Sequence, residues 1–219
     1  MENKIGSPGK VRWRGLLFFS LGMGWLALVL YGMWILVYYQ TFAGDSGLAP
    51  KSWPESSALP WTPGHTALIF WAHPRCPCTR ASLGELAGIL SRSPSGLAAR
   101  VIFIKPAGLP EEWVKTDLWK MAAGIPGVQV LSDDGGILAQ LFGVATSGHV
   151  LLYSTQGRLV FSGGITAARG HEGGNAGRDA ILSFLRDGRM DKDQTPVFGC
   201  FLAEQNLIER AWGRWPWKR

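Results

Sequence analysis

The chain has 219 residues, a formal net charge of +6 and three cysteines. This length suits one domain of ordinary size with terminal appendages, and the pattern of apolar residues gives no sign of a second core. The basic residues concentrate at the two ends of the chain rather than on one face of a domain, so we expect no nucleic-acid partner. An odd number of cysteines leaves at least one without an intramolecular disulfide partner.

The first element is an uncharged, apolar segment from Leu16 to Tyr39. A bilayer core requires about 20 apolar residues, so we predict a single transmembrane helix over 16–39. A cleaved secretory signal is the competing interpretation, because Thr41-Phe42-Ala43 loosely resembles a cleavage site, although the apolar region of a signal usually has about 7–15 residues.

Residues 1–15 form the predicted cytoplasmic N-terminus. They carry four basic residues ahead of the apolar segment: Lys4, Lys10, Arg12 and Arg14. By the positive-inside rule this end stays in the cytoplasm, and the chain after the helix lies outside. Disulfides persist in extracytoplasmic compartments, so the location bears directly on the cysteines.

Residues 40–64 are rich in proline, serine and glycine, and we predict a tether without long regular elements. Two tryptophans in it, Trp53 and Trp61, have two open placements. They rest at the membrane interface, or they cover the edge of the following domain.

Two cysteines lie at a predicted junction between a strand and a helix. The apolar run Thr66–Trp71 predicts a buried strand that ends before Pro74, and apolar residues at three- and four-residue spacing predict a helix over 79–90. Cys76 and Cys78 therefore lie at a helix N-terminus, where the helix dipole favours a thiolate. Nearby Arg75 and Arg80 are expected to act in the same direction. The alternative is that both cysteines are small buried core residues.

The following segments alternate between strand and helix patterns. We predict strands over 98–104 and 127–131, a helix opening at Pro110 and reaching about Ala122, and a helix between Gly136 and Phe142. Residues 149–154 and 158–161 predict a hairpin, and residues 175–186 a last helix. The fold class is therefore α/β, with a mixed sheet flanked by helices.

The end of the chain holds two further features. Residues 163–177 are glycine-rich and contain Arg169, His171 and Glu172; they form either an irregular surface connection or a functional loop beside the cysteines. Residues 191–219 form a C-terminal extension in which Cys200 either folds back as a resolving partner or stays an unpaired thiol. Its tail interleaves tryptophan with basic residues, which suits a lipid headgroup region or a packed tail.

Phe70-Trp71-Ala72, the cysteine motif, Arg80 and Glu85-Leu86 together resemble the membrane-anchored bacterial thioredoxin-like proteins. The variant from His73 to Thr79, with Gly163-Gly164-Ile165-Thr166 and the Arg169–Gly173 stretch further on, is similar to the RedB-like group. The resemblance implies a thioredoxin-like domain over 65–190. It also implies a single-pass protein of the bacterial inner membrane whose C-terminal domain is periplasmic.

This sequence departs from the family pattern at two places. Thr79 takes the position of the second family cysteine, and Cys78 is an additional residue inside the motif. Thr146-Ser147-Gly148-His149 occupies the stretch where the family usually has a cis-proline, with Gly148 nearest to its position. The same alignment implies that His149 points near Cys76.

Thiol–disulfide exchange is the first functional hypothesis, with a thiol or disulfide protein as partner and no cofactor. Cys76 is the expected attacking thiolate, and Cys78 or Cys200 would resolve the mixed disulfide. Thr79 is expected to hydrogen-bond the Cys76 thiolate. A peroxide-reducing role is a weaker variant, since a leading cysteine followed three residues later by threonine is similar to the glutathione-peroxidase arrangement.

Copper binding or delivery is the alternative. Two thiolates and an imidazole form a soft site suited to Cu(I), and the candidate ligands are Cys76, Cys78 and His149. His73 or His171 would be the other sources of an imidazole. A binding or scaffold role without redox chemistry is a third possibility.

Overall fold

The computed structural model describes residues 8–93 and 96–202. The predicted tryptophan-rich tail and Lys4 lie outside these residues. The contacts divide the chain into two units, residues 1–41 and 42–219.

The first unit is one long helix, α1, which runs from Pro8 to Thr41. Its segment Trp13–Thr41 has 29 residues, and the mean hydropathy reaches 1.9 over an 18-residue window within it. At about 1.5 Å per residue this length exceeds the roughly 30 Å of a bilayer core. The apolar side chains are exposed around the helix, as for Leu28 and Trp25. By length and composition α1 is therefore able to span a membrane.

The second unit is built on a five-stranded sheet in the order β3-β2-β1-β4-β5. The strands are β1 Thr66–Ala72, β2 Leu97–Lys105, β3 Val128–Asp134, β4 His149–Tyr153 and β5 Leu159–Gly164. Parallel pairing joins β1 to β2 and β2 to β3, whereas β4 is antiparallel to both β1 and β5. Phe70 is central in this register, opposite Val101 and Val150.

In the described part of this unit, four helices flank the sheet: α2 Pro77–Leu90, α3 Asp117–Ala123, α4 Ile137–Leu141 and α5 Ala176–Asp187. The single helix predicted from Pro110 is instead a 3-10 turn, Glu111–Trp113, followed by α3. Between them the Thr116 hydroxyl donates to the Pro74 carbonyl at 2.9 Å, so tertiary contact with the cysteine loop replaces helical continuation. The cap of α5 is Asn175, whose side chain accepts from the Arg178 amide at 2.8 Å.

The core has two halves, one on each face of the sheet. Leu68, Phe70 and Val150 pack against α2, α3 and α5. Ile69, Trp71 and Leu151 pack on the other face with residues of α4. A mixed five-stranded sheet between helices in this order is the thioredoxin-like fold, as the sequence predicts.

The predicted tether packs along the domain rather than standing off from it. Gly44 forms a β-bridge with Val197, and the Tyr153 hydroxyl donates to the Pro50 carbonyl at 3.1 Å. Trp53 stacks edge-on against Phe142 and Tyr153, so it covers the edge of the domain. The segment has no long regular element, as its proline content predicts, and apolar contacts and backbone pairing hold it against the domain.

The C-terminal extension also folds back onto the sheet. Ser162 in β5 forms a parallel bridge with Gln194, and the Thr195 hydroxyl donates to the Gly164 carbonyl at 2.7 Å. The chain then continues to an antiparallel bridge between Phe201 and Thr146. This path returns Cys200 to the loop that precedes β4.

Candidate active site

Cys76 occupies the N-cap of α2 with extended backbone, and Pro77 follows as the first helical residue. The approach to it is a tight turn, in which the Cys76 amide donates to the His73 carbonyl at 3.2 Å. Proline suits this position because the first helical amide has no partner within the helix. The predicted placement at a helix start is therefore confirmed. Cys76 is 1% exposed and Cys78 8% exposed, so both side chains are shielded from solvent.

Cys200 reaches the same place through backbone pairing with the loop before β4. The Ser147 amide donates to the Cys200 carbonyl at 2.8 Å, and the Leu202 amide donates to the Ala145 carbonyl at 2.9 Å. Gly199 makes this approach possible, because a Cβ at that position would overlap the Ser147 carbonyl oxygen. All three cysteines are free thiols, and their sulfurs form one cluster.

The three cysteines differ in the pKa of their thiols. Hydrogen bonds from the thiols of Cys200 and Cys78 lower the pKa of Cys76 far below its ordinary value. The pKa values of Cys78 and Cys200 are raised, first because each donates to Cys76 and then because each is buried. These contacts therefore favour the thiolate form at Cys76 over the other two cysteines, whose thiols act as its donors.

The cation beside the cluster is Arg169, from the glycine-rich stretch between β5 and α5. Its guanidinium hydrogen-bonds the sulfur of Cys78, and its charge opposes the rise in the pKa values of Cys78 and Cys200 that Cys76 and burial cause. Arg169 also donates to the carbonyls of Gly199 and, at 3.3 Å, Phe42. The sequence favours Arg75 and Arg80 for this role because they are near the cysteines in the chain.

Arg75 and Arg80 are engaged elsewhere. The guanidinium of Arg75 lies over the Trp113 ring, 4.9 Å from its centroid. Arg80 pairs with Asp117 at the exposed surface. Neither is among the main causes of the lowered pKa of Cys76, which are led by the hydrogen bonds from Cys200 and Cys78.

Thr79 joins α2 to the loop before β4. Its Oγ1 lies 2.9 Å from Ser147 Oγ and 3.4 Å from the His73 carbonyl oxygen, and Ser147 Oγ in turn accepts from the His73 amide at 2.9 Å. These hydrogen bonds connect the two walls of the cysteine site. The partners of the Thr79 hydroxyl are therefore Ser147 and the His73 carbonyl. The sequence predicts the Cys76 thiolate as its partner instead.

Replacing Thr79 with valine keeps the shape of the side chain but removes this buried hydroxyl. We expect the free energy of unfolding to fall by about 1–3 kcal/mol, since Ser147 loses a buried hydrogen-bonding partner. Urea unfolding of the full chain in detergent, followed by tryptophan fluorescence, measures this loss. Ser91→Ala at the exposed end of α2 is the control and should change stability by less than about 0.5 kcal/mol. Equal effects of the two substitutions would contradict a bridging role for Thr79.

Gly148 occupies the position where the resemblance implies a cis-proline. Its φ is +90°, a conformation suited to glycine, and its amide donates to the Trp71 carbonyl at 2.8 Å. Residues 8–93 and 96–202 contain no cis peptide bond. The loop therefore docks on the end of β1 through glycine geometry and a backbone hydrogen bond.

His149 is fully buried at the start of β4. Its Nε2 lies 2.9 Å from Ser162 Oγ, and its Nδ1 is buried without a hydrogen-bond partner. Strand alternation places His149 on the face of Leu151, opposite the face that packs on α2. Burial lowers the pKa of His149 to about 4, so the ring is neutral near pH 7.

This buried ring makes stability depend on pH. An unfolded histidine has a pKa of about 6.5, so between pH 6.5 and 4 the unfolded chain binds the additional proton and stability falls as the pH falls. We expect His149 to contribute about 2 kcal/mol to the loss of unfolding free energy between pH 7 and pH 4.5. Urea unfolding of His149→Gln at the two pH values should show that this part of the loss has gone. His65→Gln, at an exposed site, should keep the wild-type loss; a wild-type pH dependence in His149→Gln would refute the assignment.

The other candidate imidazoles have surroundings of their own. His73 stacks edge-on against Trp113, and its Nδ1 accepts from the Arg75 amide at 3.2 Å. His171 is exposed in the glycine-rich stretch. Within the described part of the chain, no group of three or more His, Cys, Asp or Glu side chains is arranged to hold a metal ion. The copper set of Cys76, Cys78 and His149 stays a prediction from the sequence.

Comparison with known proteins shows the fold. No protein-family model and no curated protein matches the chain. An uncharacterized conserved protein from Geobacillus kaustophilus aligns with 18% identity and a TM-score of 0.53, covering 74% of this chain and 92% of that one. A hypothetical protein from Sinorhizobium meliloti 1021 aligns with 22% identity and a TM-score of 0.50, covering 74% and 96%.

A third solved structure is an exposed lipoprotein thioredoxin from Streptococcus pneumoniae strain TIGR4. It has 22% identity and a TM-score of 0.39, covering 57% of this chain and 85% of that one. The first two alignments show a shared fold, and at these identities they show nothing beyond it.

Proposed function

We propose that the chain is a thiol–disulfide oxidoreductase in which Cys76 is the attacking thiolate. The observation that carries this proposal is the placement of Cys76 at a helix N-cap with the thiols of Cys78 and Cys200 as donors to its sulfur. Ionisation makes a cysteine nucleophilic, and a second sulfur within reach is what a complete exchange cycle needs.

The exchange cycle has two steps, and together they transfer two electrons from the protein to the partner. The Cys76 thiolate attacks one sulfur of a partner disulfide, forms a mixed disulfide and releases the other partner sulfur as a thiolate. Cys78 or Cys200 then loses its proton and attacks the Cys76 sulfur, which releases the second partner thiolate. The protein gives up two electrons and forms one disulfide, and the partner becomes a dithiol after taking up two protons. The reverse sequence oxidises a partner dithiol.

Both neighbouring sulfurs are candidates for the second step. Cys78 lies one residue beyond Pro77, and a disulfide within Cys-Pro-Cys would be constrained and therefore readily reduced. Cys200 approaches from a separate segment, which relaxes this constraint.

A location outside the cytoplasm would suit this chemistry. We propose that α1 is retained as an anchor in the bacterial inner membrane, with the domain on the periplasmic side. The length and apolar character of Trp13–Thr41 support a membrane span, and the basic residues before it support this orientation. Protease treatment of spheroplasts should digest the domain without lysis, and protection of the domain would contradict the orientation.

The exchange cycle is tested with glutathione disulfide as a model partner. The reduced full chain in detergent is mixed with this disulfide, quenched with acid at intervals and analysed by peptide mass spectrometry. In a Cys78→Ser, Cys200→Ser double variant we expect the glutathione adduct to accumulate on Cys76, because no sulfur remains to resolve it. If no glutathione adduct accumulates on Cys76 in this double variant, the proposal is overturned.

A further inference from the structure

Arg169 is placed to act on the two sulfurs that do not carry the charge in the reduced cluster. Arg169 is half-buried as a residue, and its guanidinium donates to the Gly199 carbonyl next to Cys200 and hydrogen-bonds Cys78. One side chain therefore contacts both candidate resolving residues or their immediate backbone. Cys76 is stabilised instead by its two thiol donors.

We propose that Arg169 promotes the resolving half of the exchange by stabilising the thiolate of Cys78 or Cys200 while Cys76 is held in a mixed disulfide. This inference rests on the proposed function and assigns a residue to its second step. No sequence pattern assigns that role to Arg169.

The argument follows the charge through the cycle. In the reduced cluster the Cys76 thiolate keeps the protons on Cys78 and Cys200. When Cys76 attacks a partner disulfide, its sulfur becomes neutral in the new bond and no longer retains those protons. The guanidinium charge remains beside both thiols and favours loss of one proton to solvent or to the released partner thiolate. The thiolate so formed attacks Cys76, and the second partner sulfur leaves with the bonding electron pair.

The loop that carries Arg169 is held by a buried carboxylate. Glu85 in α2 accepts from the Gly173 amide at 2.6 Å and from the Asn175 side chain at 3.3 Å. It also pairs with Arg178 at 3.0 Å. These contacts tie the glycine-rich stretch to α2, the helix that Cys76 caps. They hold the loop in place, and with it the guanidinium of Arg169 beside the sulfurs.

The experiment isolates the charge state that follows attack by removing the sulfur of Cys76. In a Cys76→Ser background, the full chain in detergent is alkylated with iodoacetamide over pH 6–11, and the rates at Cys78 and Cys200 are read by peptide mass spectrometry. Arg169→Gln should move the midpoint of the faster-reacting thiol upward by at least about one pH unit, a tenfold lower rate at neutral pH. Arg169→Lys should restore part of this shift. Arg158→Gln, at the exposed hairpin turn, is the charge-matched control and should leave the midpoint in place.

The high-pH plateau separates an electrostatic effect from a structural one. Loosening of the site would raise the plateau rates and leave the midpoint unchanged, whereas loss of the charge moves the midpoint. An unchanged midpoint in Arg169→Gln, or a shift of equal size in Arg158→Gln, would overturn the inference. These rates do not require disulfide exchange, so failure of the proposed function would be seen separately in the glutathione reaction.

Discussion

Replacement of Cys76 with serine is expected to reduce the rate of exchange with glutathione disulfide at least about 100-fold at pH 7. An ordinary thiol is only a few per cent ionised at this pH, and burial raises the pKa values of the two remaining thiols further. In the wild-type chain the pKa of Cys76 is lowered, so its alkylation rate should stay nearly constant between pH 6 and pH 8. Stopped reactions analysed by mass spectrometry give both quantities.

The Cys200→Ser variant is the matched control for this experiment. It keeps Cys76 at the N-cap of α2 and keeps Cys78 as a thiol donor, so initial attack should continue although one donor is lost. Exchange at the wild-type rate in Cys76→Ser would mean that a different sulfur begins the reaction. A rate at Cys76 that rises tenfold per pH unit from pH 6 to pH 8 would contradict the lowered pKa.

Replacement of Gly199 with alanine is expected to detach Cys200 from the cluster. The added Cβ would overlap the Ser147 carbonyl oxygen, and the Ser147 amide would lose the Cys200 carbonyl as acceptor. Cys76 would then lose its strongest donor, and the midpoint of its alkylation profile should rise by about one pH unit or more. The fraction of oxidised protein with a Cys76–Cys200 bond should fall at the same time.

Gly174→Ala serves as the control because a Cβ there meets open space. It should leave both the alkylation midpoint and the disulfide pattern of the wild type. The account of the C-terminal segment would be wrong if Gly199→Ala kept the wild-type midpoint. Overpacking at Gly199 is also expected to lower the unfolding free energy by about 1–3 kcal/mol, so folding of the variant is checked by urea unfolding.

The local elements of the cysteine region could be predicted from the sequence. The continuous apolar run before Ala72 and the helical spacing after Thr79 indicate β1 and α2, and together they place Cys76 at a helix start. Both signals are local in the chain. The break between the 3-10 turn and α3 could not be predicted, because it depends on the contact of Thr116 with Pro74.

The composition of the cluster depends on contacts between distant segments. Cys200 arrives because the C-terminal extension pairs with β5 and then with the loop before β4, and close approach at Gly164 and Gly199 makes room for it. Arg169 arrives from a loop that Glu85 holds. Sequence proximity favours Arg75 and Arg80 instead, although their side chains turn to Trp113 and Asp117. The local sequence around Gly199 or Arg169 does not indicate that these segments pack beside Cys76 and Cys78.

The central claim is that Cys76, Cys78 and Cys200 form one redox site, and disulfide mapping tests it most directly. The full chain is purified in detergent under thiol-trapping conditions, oxidised stepwise with glutathione disulfide, and digested for peptide mass spectrometry. The account predicts an intramolecular disulfide that joins Cys76 to Cys78 or to Cys200 and is reduced again by glutathione. Oxidised protein in which Cys76 stays a free thiol, or in which only bonds between separate chains form, would contradict it.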